Sequence, residues 1–327
     1  MKNRLYYLLV VACCGVLTGC SSGSVDEPDM PDNPDTPGDE QTWTKIDRVQ
    51  VSAEDVQSGM ASTRTSFTLD PDKLNFSWSA GDEIGIFPRT YTNSSQVKMT
   101  LSSGSGEKNA VFTGNGWAMR SDVQYMAYYP YREGVESSSA INLTFDGQHQ
   151  NGNGSLAHLG QYDYMVAEPT SPVNEALNLS FKHINAVAQI NLTLPVAVSV
   201  DKLTLTCGSN VLWKTAWLEF YSLDEGEGAS YLYEPETTDY RLSMTLENIE
   251  TTAANQVVTL YMTLPPVDLS GCMLLVDLHG TNGRSYQGAL SSRKLESGKA
   301  YRFDATLVDA TMETSDVDTP DFTESEI

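Results

Sequence analysis

Residues 177–194 read LNLSFKHINAVAQINLTL, and the pattern of this stretch decides the fold. Residues 177, 179, 181 and 183 share one face of this stretch, and the first three of them are apolar. Apolar residues alternate again in 188–194, at positions of the opposite parity. A period of two is the side-chain period of a β-strand, so the stretch predicts two strands. The parity changes between Ile184 and Val187, where we expect a turn or bulge that keeps both apolar faces directed at a core.

The same alternation recurs along most of the chain, in residues 74–78, 203–207, 242–246, 258–264, 274–278 and 301–307. Turn signals separate these runs, and Asn282-Gly283 predicts a hairpin with a type I′ turn. Helical periodicity is confined to short pieces near 155–162 and 173–177. Many short strands with one apolar face predict an all-β fold of the sandwich type.

Composition divides the chain into five parts. Each half of the folded region has enough strands for its own sandwich, and the Pro-containing segment 168–172 reads as a linker. We predict a signal peptide at 1–19, a flexible acidic tether at 20–40, an N-terminal β-sandwich at 41–180, a C-terminal β-sandwich at 181–308 and an acidic tail at 309–327.

The N-terminus has the pattern of a secretory leader. Lys2 and Arg4 precede an apolar run that is shorter than a membrane-spanning helix, and the run ends in Leu-Thr-Gly before Cys20. Small residues flanking this cysteine resemble the bacterial lipobox. The resemblance implies cleavage before Cys20 and lipidation of its sulfur, which anchors the chain to a membrane. An ordinary cleaved leader with a coincidental cysteine is the alternative.

The chain is acidic, with a formal net charge of −23. Residues 21–40 and 309–327 contain many Asp and Glu residues and neither Lys nor Arg. Such acidity argues against binding to nucleic acid, which requires a basic face.

Cys207 and Cys272 are the only cysteines outside the leader and the lipobox. Export permits a disulfide between them. The other interpretation is two small buried residues in separate strands. The sequence favours the second interpretation, because no pattern in it brings the two cysteines together.

Catalytic and metal-binding patterns are weak. His149, His158, His183 and His279 lack metal-ligand spacing, and the sequence has no nucleophile elbow. His183 shares the parity of the apolar residues before it and is predicted to be a core histidine with its hydrogen bonds satisfied. The sequence therefore predicts neither an enzyme nor a bound cofactor.

Aromatic residues suggest a second function. Tyr125, Tyr128, Tyr129 and Tyr131 cluster in sequence, and Trp213 lies near Trp217. Exposed rings stack on sugars and on partner proteins, so a surface protein that binds a host glycan or a host protein without polymerising is the alternative. Burial of these rings in a core is the simpler interpretation.

Four motifs in order resemble a known family. They are Thr63-Arg64-Thr65, residues 78–87 (WSAGDEIGIF), residues 128–131 (YYPY) and residues 179–188 (LSFKHINAVA), all of which follow the lipobox. Together they are similar to the fimbrillin-like lipoproteins of the Bacteroidia, over about residues 20–194. The resemblance implies two tandem transthyretin-like domains in a structural or adhesive subunit of cell-surface fimbriae, with other fimbrial subunits as partners.

The resemblance also implies an assembly route. A trypsin-like protease cuts after an arginine that follows the first strand, and a strand of another subunit fills the groove that remains. Residues 45–53 alternate as a first strand, and 54–64 read as an exposed loop in which Arg64 is the only basic residue. Arg64 is therefore the predicted maturation site. Arg48 is the rival but lies within the predicted strand, and a loop that is never cut is the alternative.

The C-terminal end is ambiguous as a donor strand. Val308, Ala310 and Met312 alternate, but later apolar residues are widely spaced among acids. The tail is a weak donor, a solvated end or the mark of a tip or accessory subunit.

Overall fold

Alternating buried and exposed residues form strands along almost the whole folded chain. The computed structural model describes residues 44–45, 48–57, 67–70, 73–89, 95–114, 118–174, 176–221 and 230–310, which belong to one contact unit, Trp43–Ile327. Within these ranges the only helical segment is a single 3₁₀ turn, Leu159–Gln161. The all-β prediction is confirmed. No helix in the described ranges is long and apolar enough to cross a membrane.

The strands, in chain order, are β1 (Thr44–Lys45), β2 (Arg48–Ala53), β3 (Val56–Gln57), β4 (Phe67–Asp70), β5 (Lys73–Phe76), β6 (Glu83–Arg89), β7 (Val97–Ser103), β8 (Asn109–Thr113), β9 (Ala118–Met119), β10 (Gln124–Tyr129), β11 (Ile141–Thr144), β12 (Gln148–Asn151), β13 (Met165–Thr170), β14 (Leu177–His183), β15 (Ala186–Thr193), β16 (Ser199–Cys207), β17 (Leu212–Phe220), β18 (Tyr231–Asp239), β19 (Arg241–Glu250), β20 (Val257–Leu264), β21 (Leu274–Gly280), β22 (Ser285–Leu290), β23 (Ala300–Thr306) and β24 (Val308–Asp309).

Seven strands of the N-terminal half form a closed sheet in the order β10-β13-β14-β2-β8-β7-β6. Antiparallel pairing of β6 with β10 joins the two ends, with Phe87 opposite Met126. Closure leaves no free edge on this sheet. The sheet encloses the first core, which includes Val49, Val51, Phe76, Trp78, Ile84, Ile86, Phe112, Ala127, Tyr129, Leu177, Leu179 and Phe181.

Two open sheets dominate the C-terminal half. One has the order β20-β15-β23 and the other the order β12-β19-β16-β21-β22-β24, while β11, β17 and β18 form a third sheet. Their inner faces form the second core, which includes Phe87, Met126, Tyr128, Ile141, Leu143, Phe145, Ala188, Ile190, Leu192, Leu203, Leu205 and Val276. Strands β6 and β10 contribute to both cores, so they are buried on both faces.

Two strands from before residue 180 pair with strands that follow it. β11 pairs with β17, and β12 pairs in parallel with β19. Alternation did not predict this pairing, because β12 reads Gln-His-Gln-Asn and is polar throughout. The division into two domains at residue 180, and their transthyretin-like character, remain predictions.

The change of parity in residues 177–194 occurs where the chain passes from one core to the other. β14 ends at His183 and β15 begins at Ala186. Leu177, Leu179 and Phe181 enter the first core, whereas the even-numbered apolar residues of β15 enter the second core. The predicted break is therefore present, and both apolar faces are buried.

The hairpin around Asn282-Gly283 is present, but the predicted type I′ turn is wrong. The Gly283 amide donates to the Gly280 carbonyl at 2.9 Å, and of the pair only Gly283 has a positive φ, +80°. The Gly280 amide also donates to the Arg284 carbonyl at 2.8 Å. This is a three-residue loop with glycine in the left-handed position, a common hairpin connection after the two-residue turns.

Candidate functional site

The candidate site is the slot occupied by the first long strand, β2. In the closed sheet β2 lies between β14, which is parallel to it, and β8, which is antiparallel. Val51 takes part in both ladders, opposite Leu179 on one side and Ala110 on the other. Both edges of β2 are therefore bonded to neighbouring strands, so its removal would expose two unpaired strand edges.

Alternating side chains anchor β2 in the first core. Val49 is 0% exposed and Val51 is 4% exposed, while Arg48 and Gln50 face outward and are exposed. Burial of a valine side chain contributes about 1.5–3 kcal/mol. Ala53, the last residue of β2, is buried in the same core, so the slot holds β2 by three apolar residues as well as by main-chain hydrogen bonds. Arg48 is exposed, although it is paired with Thr113 at the start of the strand.

A buried ion pair fastens the end of β2. His183 Nε2 lies 2.8 Å from the carbonyl oxygen of Glu54, the residue that follows β2. His183 Nδ1 lies 2.7 Å from Asp163 Oδ1, and both of these side chains are 1% exposed. The Glu54 carbonyl only accepts hydrogen bonds, so Nε2 is protonated, and a second proton on Nδ1 lets the ring donate to Asp163 as a cation. We call His183, Asp163 and the Glu54 carbonyl the clasp.

The pKa of His183 agrees with this assignment. Burial by itself would lower the pKa of the ring, because it penalises the charged form. The charge and hydrogen bond of Asp163, with the bond to Glu54, outweigh burial and raise the pKa above its ordinary value. The prediction that His183 is a core histidine with satisfied hydrogen bonds is confirmed.

Further hydrogen bonds hold the same end of the strand. The Ala53 amide donates to the Lys108 carbonyl at 3.2 Å, and the Glu54 amide donates to the Phe181 carbonyl at 3.2 Å. The Lys108 ammonium group forms an ion pair with Asp55. The chain is thus fixed at the point where β2 leads into the predicted protease-sensitive loop. Two residues of that loop, Val56–Gln57, form the short strand β3, which pairs with β5.

The recognised motifs meet around Trp78, beneath the slot. The centroid of the Trp78 ring lies 5.3 Å from that of Tyr129 and 5.6 Å from that of Phe181, so the three motifs at 78–87, 128–131 and 179–188 share one aromatic cluster. Edge-to-face pairs of this kind add about 0.5–1.5 kcal/mol beyond burial. The Trp78 indole N–H donates to the Lys108 carbonyl at 2.9 Å. These motifs build the floor of the slot.

Asp82 gives the turn of the 78–87 motif its hydrogen bonds. Its carboxylate accepts from the Ser79 amide at 2.7 Å and from the Tyr129 hydroxyl at 2.9 Å. Burial raises the pKa of Asp82, and the hydrogen bonds from Ser79 and Tyr129 oppose that rise. Gly81 completes the turn with a φ of +91°, a conformation that favours glycine.

The two residues with predicted modifications, Cys20 and Arg64, lie outside the described residues. Lipidation and proteolysis therefore remain predictions. Asp163 and Glu54, which form the clasp with His183, carry no sequence pattern that predicts the contact. The only signal was a histidine at the end of an apolar strand face.

The other histidines lie apart from the clasp. His158 is buried, its Nε2 is 3.0 Å from the Tyr261 carbonyl, and burial lowers its pKa to about 4. His279 pairs with Asp201 at 2.6 Å, and His149 with Glu247 at 3.3 Å. Among the described residues, no group of three or more His, Cys, Asp or Glu side chains has the geometry to hold a metal ion.

Most of the clustered aromatic rings pack inside the protein. Tyr125, Tyr128 and Tyr129 are at most 5% exposed, and Trp213 packs against the second core. Tyr131 is half-buried beneath the Lys98 ammonium group. Burial of the three tyrosines agrees with the simpler interpretation and removes them from a sugar-stacking surface.

Comparison with known proteins identifies the family. A family model described as fimbrillin-like matches residues 63–321, which is most of the chain. This chain is a member of the fimbrillin-like family. The match extends through the C-terminal half, well beyond the motifs that carried the sequence resemblance. A comparison of this fimbrillin-like chain with curated protein sequences finds no significant match.

Solved structures resemble the fimbrillin-like chain at low identity. A candidate cell adhesion protein from Bacteroides ovatus has 15% identity and a TM-score of 0.49, covering 82% of this chain and 96% of its own. A candidate cell adhesion protein from Bacteroides uniformis has 15% identity and a TM-score of 0.48, covering 80% and 96%. The tip fimbrial protein Mfa3 from Porphyromonas gingivalis has 10% identity and a TM-score of 0.35, covering 80% and 99%. Sequence identities and TM-scores this low support no conclusion about the function of this chain.

Proposed function

We propose that this chain is a structural or adhesive subunit of cell-surface fimbriae and has no enzymatic role. Membership of the fimbrillin-like family supports the fimbrial assignment. The proposed partners are other fimbrial subunits and, through a lipid on Cys20, the outer membrane. In this proposal the subunit has two tandem transthyretin-like domains, 41–180 and 181–308, preceded by the tether at 20–40.

The position of β2 is the observation that carries the assembly route. β2 is the first long strand of the described chain, and it is bonded along both edges within the first core. A cut after Arg64 separates β2 from everything that follows and leaves it held only by noncovalent contacts. Its departure opens a slot with two unpaired strand edges and two pockets that valines had filled. An extended strand from another subunit has the shape and the hydrogen-bonding groups to fill that slot.

Limited proteolysis of the intact lipoprotein tests this route. We expect a limiting dose of trypsin to cut first after Arg64, which gives a new N-terminus at Thr65. Arg64→Ala should abolish that first cut, whereas Arg64→Lys and Arg48→Ala should retain it. Detergent-resistant ladders should follow in the cut samples only, because a completed β-core exchanges strands slowly. A first cut elsewhere in the wild type, or ladders in the Arg64→Ala sample, would contradict the proposed route.

The anchor needs a separate test. Cells grown with labelled palmitate should label the wild-type chain, and Cys20→Ala should remove the label and release the chain from the outer membrane. Label retained in Cys20→Ala would rule out this residue as the acylation site.

A further inference from the structure

The two cysteines of the folded body lie next to each other. Cys207 is the last residue of β16 and pairs with Leu274, the first residue of β21. The Gly208 amide donates to the Met273 carbonyl at 3.0 Å, which extends the ladder one step beyond that pair. Cys272 has the parity of Leu274, so it is the diagonal neighbour of Cys207 on the same face of the sheet. Diagonal neighbours in antiparallel strands are close enough for side chains to touch.

Both thiols are free in this structure. Burial, together with the neighbouring Cys272 thiol, raises the pKa of the Cys207 thiol. Cys207 is buried in the second core, whereas Cys272 is half-buried and packs against it. The pair therefore has one protected sulfur and one sulfur that a reagent can approach.

We propose that Cys207 and Cys272 form an intramolecular disulfide once the chain has left the cytoplasm. This inference rests on the export in the proposed function, because disulfides persist in oxidising compartments. The adjacent positions of the two cysteines on one face of the sheet distinguish this pair from two unrelated buried cysteines, the interpretation that the sequence alone favoured.

The oxidant is a protein or small-molecule disulfide, and the reaction is two successive exchanges. The Cys272 thiolate attacks one sulfur of the oxidant, which forms a mixed disulfide and expels the first thiol of the oxidant. The Cys207 thiolate then attacks the Cys272 sulfur, closes the intramolecular bond and expels the second thiol. The oxidant gains two electrons, and the two protons lost by the cysteines end on its two thiols. Cys272 acts first because it is the more accessible sulfur.

The bond would change how the subunit responds to a pulling force. It would tie β16 to the start of β21 and enclose residues 208–271, which include β17, β18, β19 and β20. An extended residue spans at most about 3.6 Å, so the closed loop would withhold roughly 230 Å of chain from extension. A fibre subunit under tension would then unfold only in part.

Peptide mapping of the full chain tests the bond. The chain is taken from the surface of the producing cells, alkylated in denaturant without reductant, and digested with trypsin. We expect residues 203–214 to be linked to residues 242–284, in a product lighter than the two free peptides by two hydrogen atoms. Alkylation of both cysteines in place of the link contradicts a bond in the exported chain.

A parallel experiment in glutathione redox buffer separates this inference from the proposed export. Purified reduced full-length chain should form the same link there, wherever the chain resides in the cell. No link in the buffer overturns the disulfide. A link in the buffer but free thiols in surface material refutes oxidation on export, and detection of the chain at the surface then tests the proposed localisation independently.

Single variants test the order of the exchanges. Cys207→Ala should accumulate a glutathione adduct on Cys272, and Cys272→Ala should react at least tenfold more slowly at Cys207. Equal reactivity of the two variants contradicts the assigned order. In single-molecule stretching, dithiothreitol should lengthen the extension of the wild type by roughly 230 Å and leave that of the two variants unchanged.

Discussion

His183 donates a hydrogen bond from Nε2 to the backbone carbonyl of Glu54, over 2.8 Å, and so connects β14 to the end of the first strand. The opposite ring nitrogen bonds to Asp163, which balances the charge on the ring. The contact is made to a carbonyl oxygen, so it does not depend on the side chain of residue 54. The clasp lies at the end of β2 that leads towards the predicted cleavage site, so it helps to hold this end of the strand between its neighbours.

We predict that the two charges of the clasp are strongly coupled. His183→Gln should lower the free energy of unfolding by about 3–5 kcal/mol, because it leaves Asp163 buried without a positive partner. The double variant His183→Gln/Asp163→Asn should lose less than the sum of the single variants, since both charges are gone. Urea unfolding of the four proteins measures the coupling. Additive losses would show that the two residues do not act as a pair.

The clasp should make stability fall with rising pH. The pKa of His183 is raised in the folded chain, so its contribution is fully present below the unfolded pKa of about 6.5 and is lost as pH rises through the folded pKa. The wild-type urea midpoint should therefore decline above pH 6.5, and His183→Gln should flatten that decline. Protonation of His158 affects stability only at lower pH, because burial lowers the pKa of this residue to about 4. A decline of equal slope in both proteins would exclude His183 as its source.

Substitutions of inward-facing and outward-facing residues of β2 should differ sharply in their effect on the free energy of unfolding. Val51→Ala should cost about 2 kcal/mol of unfolding free energy, because it removes buried methyl groups and leaves a cavity in the first core. Gln50→Ala, one position away on the exposed face, should change stability by less than about 0.5 kcal/mol. Thermal or urea unfolding compares the two variants directly. Similar losses at both positions would mean that the side chains of β2 do not determine how it is held.

Gly85 is required by a close approach of Tyr128. A Cβ atom added at Gly85 would overlap the Tyr128 ring, which is fully buried. Gly85→Ala should therefore cost about 1–3 kcal/mol through overpacking. Gly271→Ala is the matched control, since a Cβ there meets nothing within 4 Å. Equal unfolding midpoints for the two variants would contradict the tight packing in the 78–87 motif.

The alternation of apolar and polar residues predicted most strands, because it indicates that one face of each strand is buried. The break after His183 was predictable on the same ground, since only a break keeps both faces of 177–194 in a core. The turn type at Asn282-Gly283 was not predictable, because the same dipeptide fits a loop of two residues or of three. Closure of the N-terminal sheet depends on long-range pairing of β6 with β10, for which no local pattern exists.

Buried polar side chains that take the place of main-chain hydrogen-bond partners could not be predicted from the sequence either. Gln148 is fully buried, and its amide donates to the Thr263 carbonyl at 2.7 Å and accepts from the Thr263 amide at 2.9 Å. Gln150 bonds to the main chain of Thr259 and Tyr261 in the same way. These amides satisfy the edge of β20 as a strand would, so polar residues occupy buried positions at no loss of hydrogen bonding. The clasp is similar, because Asp163 is distant in sequence from the strand that it helps to hold.

Hydrogen exchange on assembled subunits tests the central claim most directly. Amides of β8 and β14 that bond to β2 should be protected in the full-length chain, exposed in the chain cut after Arg64 once β2 has left, and protected again in polymers. Mass spectrometry of the same polymers should find chains that begin at Thr65 and lack residues 48–53. Polymers whose subunits retain residues 48–53 in the slot would contradict assembly by strand replacement.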